Sequence, residues 1–496
     1  MSLLDRLARL VSLKGALAVL AASAWLTASA MMVVQSGARY VAPDPPSSSL
    51  TAALSASRTS CTAPCAIVFD ASGTTSTEAI DTFEQVGYSF DFGGITGTWT
   101  HSGQSKDVER GGAIAAAVFD VAGTYVVKVG ALDDSGGASD GDYDQEQVTI
   151  TVAAADTTYS GTNTICLSTN TDHTDCPSGA TQTSNVTSWP SWTSSRRYLL
   201  HAGQDFTTAG GFNILQRNDV MIGKYGSGAD PIVASGGAEN GNPASTGTTW
   251  SERLTVMNLD ITGSFGTGNS HLDLLLYQDT IGGIAEFGGT VGFYYATGTT
   301  TMKRIRNTFV VECDISGGFN GATVDGRSPV FMGNNIHDPA NEHTLRVWQA
   351  YKGVFMHNRL ADANSGRHHL KMHSGGDDAW NDDVASAEAP ASGYTIIAKN
   401  LFTGGANDFP LVIGAQNNDG SPYLEGMEYI ISEGNHYAQD YSAELGIGGR
   451  NMVERGNVND VGTYNIATGY NPNGFPPGWG ESYTTGGAAI ATQDPT

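Results

Sequence analysis

Residues 331–374 read FMGNNIHDPANEHTLRVWQAYKGVFMHNRLADANSGRHHLKMHS. Two segments of this stretch, 343–348 and 369–373, place an apolar residue at every second position, as a half-buried strand requires. Leu345 and Leu370 are 25 residues apart, a spacing that suits one turn of a stacked-coil fold. The pattern therefore predicts two strands that lie next to each other in neighbouring coils.

The alternation also assigns each side chain to one face of its strand. Leu345 and Leu370 are expected inside, together with Val347 and Met372. The residues expected to face outward are Thr344, Arg346, Trp348, His369, Lys371 and His373. Because stacked strands lie about 4.8 Å apart, Arg346 is expected beside Lys371 on the outer wall. The result would be a basic, imidazole-rich patch in a chain with 25 Lys and Arg against 50 Asp and Glu.

The same stretch contains two copies of a short unit, FMGNNI at 331–336 and FMHNRL at 355–360. Related units, in which apolar residues precede an Asn or Asp, recur along the chain. The aligned positions are Asp260, Asp314, Asn335, Asn358, Asn400, Asn435 and Asn457. Gaps in the low twenties, with longer gaps that hold an insertion or a second coil, are typical of a β-solenoid. Asn is expected at the bend because it satisfies backbone groups and tolerates left-handed φ.

The composition agrees with an all-β fold and excludes one class of partner. The 496 residues include 63 Gly, and only 15% are charged. Such a chain suits many tight turns, and no long segment shows helical periodicity. The formal net charge of −25 argues against a nucleic-acid partner, which would need a basic face.

The N-terminal residues have the pattern of an export signal. Residues 1–30 combine a basic start, an apolar stretch and a small-residue cleavage site at 28–30. We expect cleavage there and an extracellular or cell-surface protein, whereas an uncleaved segment would anchor the chain in a membrane. Residues 31–50, which are rich in Pro and Ser, are predicted to be a linker.

Five cysteines also fit an exported protein. Cys61 and Cys65 are near enough in sequence to form a bridge, and Cys166 and Cys176 could close a small loop. Cys313 is left over and lies among alternating apolar residues. A buried, inert thiol is therefore expected at that position.

Short alternating strands separated by Gly, Asp and Ser turns fill residues 51–153. Three motifs stand out, AIVFDAS at 66–72, YSFDFG at 88–93 and GTYVVKV at 123–129. They resemble the PKD family of immunoglobulin-like domains. The resemblance implies a β-sandwich that serves as a spacer or as a carbohydrate- or protein-binding accessory.

Residues 158–496 contain the repeated units and open with YLLHAG at 198–203 and YGSGADPI at 225–232. This region resembles the right-handed parallel β-helix of the pectate-lyase-like superfamily. The expected fold is thus all-β, a PKD-like β-sandwich followed by a right-handed parallel β-helix (solenoid). We expect a monomer in which the C-terminal tail covers the open end of the solenoid.

Several members of that superfamily are lyases that cleave acidic polysaccharides by β-elimination, using an Arg and a Lys on adjacent coils. The resemblance implies that Lys371 is the base and Arg346 a charge stabiliser or acid, supported by His369 and His373. A Lys beside an Arg also has a lowered pKa on physical grounds. The HTLR run at 343–346 is similar to a motif of alginate- and chondroitin-type lyases, in which the Lys precedes the Arg. Here the order is reversed.

The predicted partner is an anionic, uronate-containing polysaccharide, drawn in by the local positive field. The residues predicted to bind it are Trp348, His343, Arg367, His368 and Asp325. The acidic segment after Lys371 has two interpretations, a Ca²⁺-carrying rim or a solvated loop. Its candidate metal ligands are Asp377, Asp378, Asp382 and Asp383.

Two other functions remain open at this point. A β-helix glycoside hydrolase would need two carboxylates at a defined separation, and no spacing in the sequence singles out such a pair. A non-catalytic carbohydrate-binding surface protein or adhesin would need no site. In that case the cations of the patch would simply pair with carboxylates such as Asp325 or Glu342.

Overall fold

The computed structural model describes residues 50–133, 142–238, 251–267, 271–283, 285–287, 305–372, 392–405, 409–414, 427–467 and 483–485. The expected export signal lies outside these ranges. Strands dominate the described part, which confirms the all-β prediction. The short helical turns are Thr82–Gln85, Ala155–Thr158, Gly161–Asn163 and Thr207–Ala209. None of the helices within these ranges has the length and apolar character needed to span a bilayer.

The N-terminal module is a sandwich of two β-sheets. One sheet consists of Ser55–Ala56, Cys65–Asp70 and Ile114–Phe119. The other consists of Ser60–Thr62, Val86–Asp91, Val108–Arg110, Gly123–Asp133 and Asp142–Ala153. Strand alternation buries Phe69 and Phe92 between the sheets, with their ring centroids 5.6 Å apart. Alternating short strands therefore build this core, as the sequence pattern predicts.

The rest of the chain winds into coils that stack strands into parallel sheets, a parallel β-helix. The first sheet contains Thr164–Leu167, Arg196–His201, Asn218–Tyr225, Ser251–Met257, His271–Tyr277, Ile305–Val311, Val330–Met332, Val354–Met356, Ser392–Ala398, Met427–Glu433, Arg450–Arg455 and Tyr483–Thr485, with Thr181–Thr183 beside its first strand. The second sheet contains Ile232–Val233, Asp260–Ile261, Thr280–Ile281, Asp314–Ser316, Asn335–His337, Arg359–Ala361, Leu401–Thr403, His436–Tyr437 and Val458–Asn459. The third sheet contains Gly236–Ala238, Phe265–Thr267, Ala285–Phe287, Ala322–Arg327, Leu345–Tyr351, Leu370–Met372, Leu411–Gly414, Leu445–Gly448 and Ile466–Ala467.

A ladder of buried Asn side chains runs along the bend between the first and second sheets. Its Asn members are Asn334, Asn358, Asn400, Asn435 and Asn457. The Asn358 side chain accepts the backbone N–H of Asn334 at 3.0 Å and donates to the carbonyl of Phe331 at 2.8 Å. These bonds satisfy backbone groups that the turn takes out of the sheets. The ladder thus gives the repeated Asn the structural role that its position predicts.

The sequence alignment of the repeat is wrong by one residue at its N-terminal end. Asn335 pairs with Arg359 on the second sheet, whereas Asn334 occupies the ladder. The left-handed conformation also belongs to the preceding residue, such as His357 with a φ of 59°. Asn therefore serves this bend through its side-chain amide and not through its backbone freedom.

The long gaps in the repeat have two causes, an extra coil in one place and an insertion within a coil in another. Between Asp260 and Asp314 lies a complete extra coil, whose second-sheet strand is Thr280–Ile281. Arg359 pairs directly with Leu401, so the long gap there is one coil that carries an insertion. The repeat length therefore varies through loops, while the stacking register is kept.

The sandwich packs on the outer face of the first sheet. One buried apolar cluster joins Ile114 of the sandwich to Phe309, Val354 and Ile396 of the solenoid. Ion pairs also join the two modules, among them Lys352 with Asp70 and Lys106 with Glu312. Separating the modules would expose apolar surface to water. The sandwich is therefore part of the solenoid wall, in contrast to the free spacer that its resemblance allows.

Both expected disulfides are present, one between Cys61 and Cys65 and one between Cys166 and Cys176. Cys313 is buried and reduced, as predicted. Its backbone N–H donates to the side chain of Asn334, so Cys313 stands at the end of the Asn ladder. Burial raises the thiol pKa well above its usual range, which keeps the sulfur in its unreactive form.

Candidate functional site

The basic patch lies on the outer face of the third sheet, on the neighbouring strands Leu345–Tyr351 and Leu370–Met372. Their register pairs Arg346 with Lys371, which confirms the predicted neighbours. Leu345 and Leu370 are fully buried in the solenoid core, also as predicted. The two cations therefore lie side by side on adjacent coils.

Lys371 is almost completely buried, with 6% of its surface exposed. Burial lowers its pKa to about 8, and Arg346 acts in the same direction, while Glu342 opposes both. With a pKa of about 8, against about 10.4 for an ordinary Lys, about one Lys371 in ten is uncharged at pH 7. The amine can thus accept a proton close to neutral pH.

Arg346 is only partly buried and lies against an aromatic ring. Its guanidinium carbon is 3.9 Å from the ring centroid of Trp348, a cation–π contact. Burial lowers the pKa of Arg346 to about 10, so the group is still charged at pH 7. On the preceding coil, Thr323 pairs with Arg346 in register, and its buried hydroxyl has no hydrogen-bond partner within the described part.

An acidic residue and two imidazoles lie before the paired strands. Glu342 forms an ion pair with Arg367 at 2.9 Å, and the His343 and His368 rings stack with centroids 5.2 Å apart. His343 Nδ1 accepts the backbone N–H of His368 at 3.0 Å, so its proton is on Nε2, which lies 3.4 Å from Glu342. His368 Nδ1 donates to the carbonyl of Phe409 at 2.6 Å. Both imidazoles are therefore held by defined tautomers.

The predicted outward orientation of Thr344 and His369 is wrong, because both are fully buried. Thr344 donates to the carbonyl of Ala361, and His369 Nε2 lies 3.0 Å from the carbonyl oxygen of Thr403. Burial lowers the pKa of His369 to about 4. The physical reason is that these residues lie at the bend before each strand, where strand alternation does not yet apply. His369 therefore does not join Arg346 and Lys371 on the outer wall.

The remaining predicted site residues have no described side chain. A β-bulge between Val324 and Asp325 shifts the register, so Asp325 pairs with Gln349 through its backbone, and its side chain lies outside the described part. The predicted residues that lie wholly outside the described ranges are His373, Asp377, Asp378, Asp382 and Asp383. Within the described ranges, no group of three or more His, Cys, Asp or Glu residues could hold a metal ion. The calcium rim stays a prediction.

Phe319 was missed by the sequence argument. The residue is 53% exposed, and its carbonyl accepts the backbone N–H of Glu342 at 2.8 Å. The signal in the sequence is a single aromatic residue inside the turn GGFNG at 317–321. Exposed aromatic rings offer flat apolar faces, and this one lies in the turn that bonds to the backbone of Glu342.

No family model, curated protein or solved structure matches this chain. The described residues define the class of molecule, an all-β chain in which a sandwich packs on a parallel β-helix. The same architecture supports many unrelated functions, so function has to be argued from the site. That site is the pair of Arg346 and Lys371 with the groups around it.

Proposed function

We propose that this protein is a polysaccharide lyase that cleaves an anionic, uronate-containing polysaccharide by β-elimination at the Arg346 and Lys371 pair. The observation that carries the proposal is the buried Lys371 in register with Arg346, with a pKa of about 8. Elimination from a uronate needs a base that is active near neutral pH. It also needs positive charge where the enolate-like transition state becomes negative.

In the proposed reaction the neutral amine of Lys371 removes the proton at C5 of the uronate. The electrons of that bond form a double bond between C4 and C5, and the glycosidic oxygen leaves C4. Arg346 faces the uronate carboxylate and stabilises its charge. The leaving oxygen takes its proton from the Lys371 ammonium or from Arg346, whose pKa of about 10 is below that of an ordinary Arg.

The surroundings of the pair suit a sugar polymer. Trp348 and Phe319 supply ring faces, and the Thr323 hydroxyl is a hydrogen-bonding group without a partner in the described part. Glu342 lowers the net charge of the patch but fixes Arg367 beside it. A polyanion would still meet mainly positive groups here, although the whole chain carries a formal charge of −25.

We also propose that the sandwich is a PKD-type module and that the protein acts outside the cell. The three motifs of the sandwich support the first point, and two disulfides support the second because they persist in oxidising compartments. The role proposed for the sandwich is to cover the apolar wall of the first sheet. The proposed elimination takes place on the third sheet, where Arg346 and Lys371 lie.

The test is to incubate the whole secreted protein with a panel of uronate polymers and follow the ultraviolet absorbance of unsaturated ends. Lys371→Ala should lower the rate at least about 100-fold, as expected for loss of a general base. Lys224→Ala is the matched control, since Lys224 pairs with Asp230 at 2.6 Å on another part of the solenoid. Its rate should equal that of the wild type.

The other outcomes separate the alternative functions. New reducing ends without ultraviolet absorbance would indicate a hydrolase and refute elimination. Binding of a polymer without either signal would indicate a non-catalytic carbohydrate-binding protein. Full activity in the Lys371→Ala variant would show that the base is a different residue.

A further inference from the structure

A second group of hydrogen-bonded side chains lies where the sandwich meets the bend between the first and second sheets of the solenoid. Ser102 Oγ is 2.7 Å from His357 Nδ1, and His357 Nε2 is 2.6 Å from Glu109 Oε2. The Trp99 ring stacks on His357 with centroids 5.2 Å apart. A hydroxyl, an imidazole and a carboxylate therefore form one continuous chain of bonds between the two modules.

The ionised carboxylate of Glu109 fixes the direction of its hydrogen bond with His357. Burial alone would raise the pKa of Glu109, but Lys399 and His357 outweigh it and lower the pKa to about 2. Glu109 is thus a carboxylate and must accept the proton of His357 Nε2. When His357 is neutral and donates from Nε2 to Glu109, its Nδ1 carries the lone pair and accepts the proton of the Ser102 hydroxyl. This is the polarity of an activated nucleophile, with a base that is oriented by a third group.

Ser102 also lines a crevice, whereas His357 and Glu109 are buried behind it. The crevice has a volume of about 150 Å³ and is lined by His101, Lys399 and His436 as well. Ligand pockets for larger molecules start at about 300 Å³, so only a small group fits here. Lys399 uses two donors on Glu109 and the Arg110 carbonyl, which leaves its third N–H for a ligand.

We infer that Ser102, His357 and Glu109 form a second catalytic site, an esterase that hydrolyses small acyl esters such as acetyl esters. Ser102 Oγ attacks the ester carbonyl and passes its proton to His357 Nδ1. The ester C–O bond then breaks, and the leaving alcohol takes that proton. Water repeats the sequence on the acyl-enzyme and releases the carboxylic acid and free Ser102. Glu109 holds the imidazole in the required tautomer, and the Lys399 ammonium faces the oxyanion.

The opposing interpretation is that these bonds only tie the sandwich to the solenoid. The two interpretations differ in the reactivity of Ser102, which a purely structural hydroxyl would not have. The whole protein is treated with a fluorophosphonate probe, and the modified peptide is located by mass spectrometry. Hydrolysis of p-nitrophenyl acetate is measured in parallel on the Lys371→Ala background, so that the basic patch cannot contribute.

The inference predicts probe attachment at Ser102 and hydrolysis that falls at least about 100-fold in Ser102→Ala. Ser105→Ala is the matched control, because Ser105 lies on the same loop and caps the Asp107 N–H. Its rate should be unchanged. Glu109→Gln should slow the modification of Ser102 at least tenfold in samples whose thermal midpoint shows that they are folded.

The inference is overturned if the folded wild type is not modified at Ser102, or if Ser102→Ala hydrolyses the ester at the wild-type rate. It is also overturned if the Glu109→Gln variant is folded and its Ser102 reacts at the wild-type rate. Because the Lys371→Ala background lacks the proposed lyase base, these outcomes are independent of the lyase proposal. Loss of one activity would leave the other intact.

Discussion

The depressed pKa of Lys371 is the prediction on which the proposed chemistry depends most. Burial is its main cause and Arg346 the second, and together they place the pKa at about 8. At pH 7 about 10% of the side chains are then uncharged, against about 0.04% for an ordinary Lys with a pKa of about 10.4. The fraction of free amine is thus raised roughly 250-fold by the fold alone.

The titration can be followed without a substrate. The ε-methylene resonance of Lys371 moves with the charge of the amine, and it is assigned by its loss in Lys371→Arg. We expect its inflection near pH 8. If the protein is a lyase, its rate should rise about tenfold between pH 7 and pH 9 with the same inflection.

Two variants test how neighbouring charges contribute to the pKa of Lys371, because they should move it in opposite directions. Arg346→Gln removes a neighbouring positive charge, so the pKa of Lys371 should rise. Glu342→Gln removes a carboxylate that favours the ammonium, so the pKa should fall. An inflection of the wild type close to the usual Lys value would refute the argument from burial, and so would a shift of both variants in the same direction.

Three further predictions concern stability. Asp279 is buried, accepts the Leu259 N–H in the same way as the Asn side chains of the ladder, and has a pKa raised well above its usual range by burial. Above about pH 4 the wild-type carboxyl must therefore take up a proton when the chain folds. Asp279→Asn removes that requirement and should raise the free energy of unfolding by about 1–3 kcal/mol at pH 7, and by less at pH 4. His369 has its folded pKa lowered to about 4, so stability should be lost as the pH falls from about 6.5 to 4, by up to about 3 kcal/mol, and His369→Leu should lose less. Gly112→Ala should cost about 1–3 kcal/mol, because the new Cβ would lie 2.3 Å from a methyl group of Ile396 between the two modules.

Thermal and denaturant unfolding at several pH values measure all three. A stabilisation by Asp279→Asn that is equal at pH 4 and pH 7 would show that the wild-type carboxyl folds in its ionised form. If His369→Leu loses as much unfolding free energy between pH 6.5 and pH 4 as the wild type does, a different titrating group causes that loss. Gly266→Ala is the control for Gly112→Ala, since its Cβ would meet nothing within 4 Å, and equal effects of the two would contradict the packing argument.

The strand pattern predicted the centre of the candidate site. Alternation placed Leu345 and Leu370 inside, and the 25-residue spacing put Arg346 beside Lys371, because the period of a strand is two and stacked coils keep register. The prediction failed for Thr344 and His369, which lie one residue before the strands begin. At a bend the direction of a side chain depends on the φ and ψ of the turn, which alternation does not describe.

Sequence patterns were enough to predict an all-β solenoid preceded by a module of short strands, because periodicity and turn residues are local properties of the chain. The sequence also offered both disulfides as possible bridges and predicted the buried thiol, and the structure contains all three. The tertiary structure added the burial of Lys371, the stacking of His343 on His368 and the packing of the sandwich on the first sheet. It alone brought Ser102 to His357, 255 residues away. Burial, charge proximity and contacts between distant segments arise only when the coils stack.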